Sequence, residues 1–297
     1  MAKRQVSKRH EHHKEAPFPK GKLIAIGGKE DKGNMELKEE QKRNSGFIAE
    51  EILKRFVHDL KGNDPQIVIV PTASTVPEEI TQDYVDVFKS LGLKNLEVMD
   101  IRNRVQCKDP AFCAMVEHAA GFMFTGGDQL RLTSILGGSP VLELIKERFT
   151  YDEIIIAGTS AGAAALSTPM IYEGETVGGY IKGDVRITTG LEFLRDVAID
   201  THFIQRGRIV RMAQAIATNP GCIGIGLEED TAIYVTDGYK LEVLGSGLVT
   251  IVDGMDISRT NIYEINTGEP FTVCDLKVHL LSRGEKYDIP TYDQLHL

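Results

Sequence analysis

The sequence predicts an α/β fold: a doubly wound, mainly parallel sheet with helices on both faces and a small antiparallel addition near the C-terminus. Three observations predict it. Through the first half, short runs of Ile, Val and Ala alternate with longer segments of helical spacing, which is the pattern of successive βαβ units. The runs end in small residues, Gly27-Gly28, Pro71-Thr72-Ala73-Ser74 and Gly126-Gly127, so loops gather at the carboxyl ends of the strands. From Cys222 onward the apolar runs shorten and turns replace the long helical segments, as antiparallel pairing requires.

In chain order, residues 1–19 are basic and polar (Lys3, Arg4, Lys8, Arg9, His10, His12, His13, Lys14) and offer nothing to bury. They read as a disordered arm ahead of a single catalytic domain over 20–297. Lys22 to Ile26 is the first strand, followed by a charged loop, Lys29-Glu30-Asp31-Lys32. A helical segment is expected within 36–60, most clearly from Phe47 onward, where Ile48, Ile52, Leu53, Phe56 and Val57 share a face. Gln66 to Val70 is a buried strand, and Pro77 sits near the start of a helix reaching about Leu91. Asn95 to Ile101 gives a third strand. Asp109 and Pro110 give an N-cap and first position to a helix reaching Ala119. Gly121 to Phe124 is the fourth strand, helical segments follow to Phe149, and Glu153 to Ala157 is the fifth strand. In the second half a strand is expected from Val197 to Phe203 and a helix from Ile204 to Thr218. A strand, turn and strand follow from Cys222 to Val235, then a small antiparallel addition, 240–244 and 248–252.

Composition bounds the function. The chain has 297 residues, 42% hydrophobic and 26% charged, as a protein with a substantial core requires. A formal net charge of −9 argues against a general nucleic-acid binder and favours a cationic ligand. No apolar run is long enough to span a membrane, and the N-terminus lacks the apolar core of a signal peptide, so a cytoplasmic location is expected. Cys107, Cys113, Cys222 and Cys274 have no metal-binding spacing and read as free thiols, so neither a metal nor another cofactor is expected.

The chemistry centres on Gly158-Thr159-Ser160-Ala161-Gly162, a Gly-x-Ser-x-Gly turn between a strand and a helix, which is the context of a nucleophile elbow. The chain reverses so sharply there that side chains two residues either side of the serine would collide. Ser160 is the candidate nucleophile, and the N–H of Ala161 lies where an oxyanion would develop. A second oxyanion donor is expected from Gly126-Gly127-Asp128 on a neighbouring strand. Of the eight histidines, His202 alone ends a strand in the core pattern, on the rim expected to carry Ser160, so it is the candidate base. The carboxylate that would orient it stands in Glu228-Glu229-Asp230 or at Glu173 or Glu175, and spacing does not choose between them. Arg206, Arg208 and Arg211 follow the histidine and suit the gripping of carboxylates.

Taken together, Gly126-Gly127-Asp128-Gln129, Gly158 to Ala163, Asp200-Thr201-His202-Phe203 with Arg206 and Arg208, and Gly226 to Thr231 resemble the cyanophycinases. These are serine hydrolases of the aspartyl-dipeptidase-like peptidase family with a class I glutaminase-like fold. The resemblance runs from about Lys22 to Val252. It implies hydrolysis of cyanophycin, an arginine-bearing poly-aspartate, to β-Asp-Arg dipeptides by Ser160, His202 and Glu229, with no cofactor, in a homodimer. It places Gln129, Asp200, Arg206, Arg208 and Arg211 at substrate-contacting positions. Thr201 stands at another, where the family often has Gln. Some members carry the acid between serine and histidine. The matching position here is Gly178, with Glu173 and Glu175 nearby, which favours Glu229. An aspartyl dipeptidase acting on short peptides and a non-catalytic binding protein on the same scaffold are the competing expectations.

Overall fold

A computed structural model describes residues 18–34, 36–174 and 179–290. The arm expected over 1–19 falls outside them except for Phe18 and Pro19, and so do Glu175 and Gly178. The first half contains β1 (Lys22–Ile26), α1 (Glu39–Arg43), α2 (Glu51–His58), β2 (Gln66–Val70) and α3 (Pro77–Ser90). It continues with β3 (Leu96–Val98), α4 (Pro110–His118), β4 (Ala119–Phe124), α5 (Gln129–Leu136) and α6 (Pro140–Tyr151). β5 (Ile155–Thr159) and α7 (Ala161–Ala165) complete it. The second half holds β6 (Ser167–Thr168), β7 (Met170–Glu173), β8 (Arg186–Thr188), β9 (Leu194–Arg195), β10 (Val197–Thr201) and α8 (Ile209–Thr218). After them come β11 (Ile223–Leu227), β12 (Thr231–Thr236), β13 (Lys240–Gly245) and β14 (Val249–Asp253). The last are β15 (Arg259–Thr260), β16 (Val273–Cys274), β17 (Lys277–Leu281) and β18 (Lys286–Asp288).

The main sheet has eight strands in the order β18-β13-β12-β1-β5-β4-β2-β3. From β1 to β3 every pairing is parallel. The central strands are apolar except at their ends because helices cover both faces; two apolar clusters fill the layers either side of the sheet. Helix starts are set locally. The carboxylates of Asp109 and Asp128 accept from backbone N–H groups of the first turns of α4 and α5, and Ser139 does the same for α6.

Three expectations are corrected. The helix within 36–60 is two helices, because Asn44 accepts the N–H of Gly46 and turns the chain between them. The helix expected from Ile204 begins at Ile209, because His202 and Gly207 adopt positive φ (49° and 60°) and residues 202–208 form turns. The antiparallel C-terminal addition is present but larger than expected. β12, β13 and β18 extend the main sheet beyond β1, whereas β14 and β17 join the parallel pair β10-β11 in a second sheet of four. The turn Glu228-Glu229-Asp230 therefore carries the chain from one sheet to the other.

Candidate active site

The site lies where the two sheets meet, at the end of β1. Three successive carbonyls there hold three distant segments: Ile26 O accepts from Ser160 N at 2.9 Å, Gly27 O from His202 N at 3.1 Å, and Gly28 O from Asp230 N at 2.9 Å. Glycine is required at both positions after Ile26. A Cβ on Gly27 would stand 1.9 Å from the carbonyl of Glu228. Gly28 has φ 104°, and a Cβ there would stand 2.6 Å from the His202 ring.

Ser160 has φ 50° and ψ −112°, a conformation that L-residues hold only when their surroundings impose it. The flanking glycines allow the imposition. A Cβ on Gly162 would lie 2.3 Å from Phe124 O, and one on Gly158 would lie 2.7 Å from the backbone of Gly162. The serine Oγ lies 3.0 Å from His202 Nε2, and His202 Nδ1 lies 2.7 Å from Glu229 Oε1. A hydroxyl, an imidazole and a carboxylate in hydrogen-bonded series are the set that turns a serine into a nucleophile.

Electrostatics keep the imidazole neutral and the carboxylate charged. Burial lowers the His202 pKa, and the charges of Arg206 and Arg208 push it the same way against the hydrogen bond to Glu229. Burial would raise the pKa of Glu229, but hydrogen bonds from Lys38, His202 and Lys29 hold it down to about 2. Neither lysine stands out in the sequence, since a charged loop at a strand end gives no sign of which carboxylate it meets.

The other described acids of the expected set, Glu228, Asp230 and Glu173, are engaged elsewhere. The half-buried carboxyl of Glu228 is hydrogen-bonded by the Leu248 amide. Asp230 accepts from Asp31 N, Gln41 and Ser246. Glu173 is exposed and pairs with Arg186 at 3.3 Å.

The N–H groups of Ala161 and Gly127 make no hydrogen bond to another described residue. That of Asp128 is taken by Ala73 O at 3.0 Å, and its carboxylate caps α5, so the expectation of an oxyanion donor at Asp128 is corrected: its N–H is already engaged. Gln129 spends its amide N–H on the carbonyls of Ile171 and Tyr172.

The expected arginine track is also corrected. Asp200 is 2% exposed and Arg211 5%. Arg211 grips Asp200 through Nε to Oδ2 at 2.6 Å and Nη2 to Oδ1 at 2.5 Å, while Arg208 reaches Oδ1 at 2.8 Å and the Thr201 carbonyl at 2.5 Å. Thr201 is itself buried. These four hold the floor beneath the His202 turn, and of the three arginines only Arg206 is exposed. Sequence reasoning missed the pairing because Asp200 and Arg211 face each other only once the chain turns at 202–208. Among the described residues no group of three or more His, Cys, Asp or Glu is placed to hold a metal ion, and no helix is long and apolar enough to cross a membrane.

Residues 42–243 match peptidase family S51. The chain is 36% identical over 279 residues to a cyanophycinase of Geminocystis herdmanii, covering 94% of this chain and 97% of the relative. It is 37% identical over 268 residues to a cyanophycinase of Trichormus variabilis, covering 90% and 85%. Among solved structures, a peptidase from an acI-B1 Actinobacterium superposes with a TM-score of 0.63 at 21% identity, over 92% of this chain and 98% of that one, a likeness of fold alone.

Proposed function

The chain belongs to peptidase family S51, and within that family of serine peptidases we propose an exopeptidase that releases β-Asp-Arg dipeptides from cyanophycin. The observation that carries the reading is the continuous series from Ser160 Oγ through the His202 ring to Glu229, at 3.0 and 2.7 Å. It is joined to relatives that carry the cyanophycinase name over nearly their whole length.

The proposed steps follow from the geometry. His202 Nε2 takes the proton of Ser160 as Oγ attacks the scissile aspartyl carbonyl. Glu229 keeps the Nδ1–H tautomer in place and stabilises the imidazolium. The free N–H groups of Ala161 and Gly127 receive the oxyanion. His202 then donates its proton to the leaving amine, and water, deprotonated by the same ring, releases the acyl group from Ser160. Exposed Arg206 supplies a cation for backbone carboxylates of the substrate. The nucleophile elbow, the cytoplasmic setting and a homodimer belong to the same proposal; light scattering coupled to gel filtration tests the last.

The test is incubation with purified cyanophycin and mass analysis of the products. The dipeptide is expected from the native chain and is lost in Ser160→Ala. Dipeptide release by the variant at the native rate, or cleavage of short aspartyl peptides alone, would overturn the proposal.

A further inference from the structure

We infer that Lys29 and Lys38 form a cationic clamp on Glu229 that positions its carboxylate and sets the acid limit of the reaction. The inference rests on reading Glu229 as the carboxylate that serves His202. Lys29 Nζ lies 3.1 Å from Oε1, the oxygen that also meets His202 Nδ1 at 2.7 Å. Lys38 Nζ hydrogen-bonds the other oxygen, Oε2. The carboxylate is thus held at both ends, and its rotation away from the imidazole would break a contact to one ammonium or the other.

The two lysines reach the carboxylate from separate segments, each fixed by its own backbone. Lys29 follows the Gly27-Gly28 turn and has φ 47°. This left-handed conformation is unfavourable for a residue with a Cβ, so the turn imposes it. Lys38 precedes α1, where its N–H donates to Gln41 Oε1 at 2.8 Å. Gln41 in turn donates from Nε2 to Asp230 Oδ2 at 2.7 Å, which ties the Lys38 segment to the turn that bears Glu229. The Glu229 side chain is only 7% exposed, whereas those of Lys29 and Lys38 are 58% and 43% exposed. A buried carboxylate therefore carries two cations that reach solvent.

The charged groups around the pair come from several elements. Arg206 and Arg208, on the turn after β10, act on His202. Lys29 and Lys38 act on Glu229 from the β1 loop and the segment before α1. Glu228 and Asp230 flank Glu229 in sequence, but their carboxyl groups are engaged by the Leu248 amide and by Asp31 N, Gln41 and Ser246. A carboxylate already shared by two ammonium groups attracts an imidazolium proton less, and each ammonium also opposes the charge on the ring. The clamp thereby keeps His202 neutral, and competent as a base, at lower pH.

The test is the pH profile of kcat/KM for the full chain and for Lys29→Met, Lys38→Met and the double variant, with cyanophycin as substrate. At a separation of about 6 Å a water-screened unit charge is worth about half a pH unit. The acidic limb is expected to move upward by about that much in each single variant and by about one unit in the double. Lys38→Arg keeps the cation and should restore the native limb. Raising the salt concentration should move the native limb upward, a readout that needs no variant to fold, and should move that of the double variant less, since only Arg206 and Arg208 remain there to be screened. An unmoved limb in the double variant, alongside a crippled Glu229→Gln, overturns the clamp and leaves the triad. Full activity in Glu229→Gln overturns the triad reading itself.

Discussion

Asp200 is the residue whose loss should be felt most strongly without touching the reacting atoms. Its carboxylate is 2% exposed and is bonded by Arg211 through two nitrogens and by Arg208 through one. Asp200→Ala would leave the guanidinium of Arg211, a residue 5% exposed, with one remaining acceptor among the described residues, the Gly174 carbonyl at 3.2 Å. Removing one partner of a buried ion pair destabilises by about 3–5 kcal/mol, because the remaining charge loses its counterion without regaining water. Even the lower figure of about 3 kcal/mol lowers the melting temperature by roughly 6–12 °C, at about 2–4 °C per kcal/mol for a chain near this size. The same change frees Arg208, which bonds the Thr201 carbonyl and so fixes the residue before His202; kcat should fall while the chain is still folded. Calorimetry and single-temperature kinetics read the two effects separately. The double variant Asp200→Leu with Arg211→Met removes the carboxylate and its more buried guanidinium, leaves only the less buried Arg208 without its partner, and should recover part of the stability, since apolar replacement of a buried pair is often neutral. A melting temperature within a degree or so of native in Asp200→Ala, or a double variant worse than the single, would refute the reasoning.

Three more predictions follow from the site. Glu229→Gln should lower kcat about 10⁴-fold with little change in thermal stability, since an amide in that position favours the wrong imidazole tautomer; steady-state kinetics with a melting curve checks it. Gly28→Ala places a methyl 2.6 Å from the His202 ring on a backbone with φ 104°, so activity should fall by at least about a hundredfold, read against labelling of Ser160 by a serine-directed phosphonate. Because burial and the charges of Arg206 and Arg208 lower the His202 pKa, the neutral ring persists below the usual histidine range and the acidic limb of kcat/KM should lie below about pH 6.5; Arg206→Gln should move that limb upward.

Parts of this site are legible in one dimension and parts are not, and the division follows how far each constraint reaches. Gly158 and Gly162 are readable because the clash they avoid lies within the turn and its neighbouring strand, so local steric reasoning finds it. His202 is readable because a strand end predicts a rim. Glu229 is not readable from spacing alone. Three consecutive acids present three directions, and which one faces the histidine depends on Asp230 taking φ 53° as the chain crosses between sheets. The arginines mislead for the same reason. Their place just after the histidine suggests a grip on substrate carboxylates, but the helix starts five residues later than Ile204 suggests, and the turn that replaces its beginning folds Arg208 and Arg211 inward onto Asp200.

The deepest constraint is also the least visible in the sequence. Ile26-Gly27-Gly28 reads as a strand running into a turn, yet its three carbonyls fix the backbones of Ser160, His202 and Asp230, which belong to three segments far apart in the chain. Three of the positive-φ residues of the molecule, Ser160, His202 and Asp230, are these same three, so each strained backbone is anchored by a bond to one end of one strand. Such strain is of the order of 1–3 kcal/mol for each residue and persists only where surroundings over-determine it. A shared anchor does this economically: a shift of β1 would carry the Ser160 turn, His202 and the turn at Asp230 together, leaving their mutual distances unchanged. That is why the site tolerates being assembled from two sheets, and why a strict sequence requirement falls on two glycines that take no part in the chemistry.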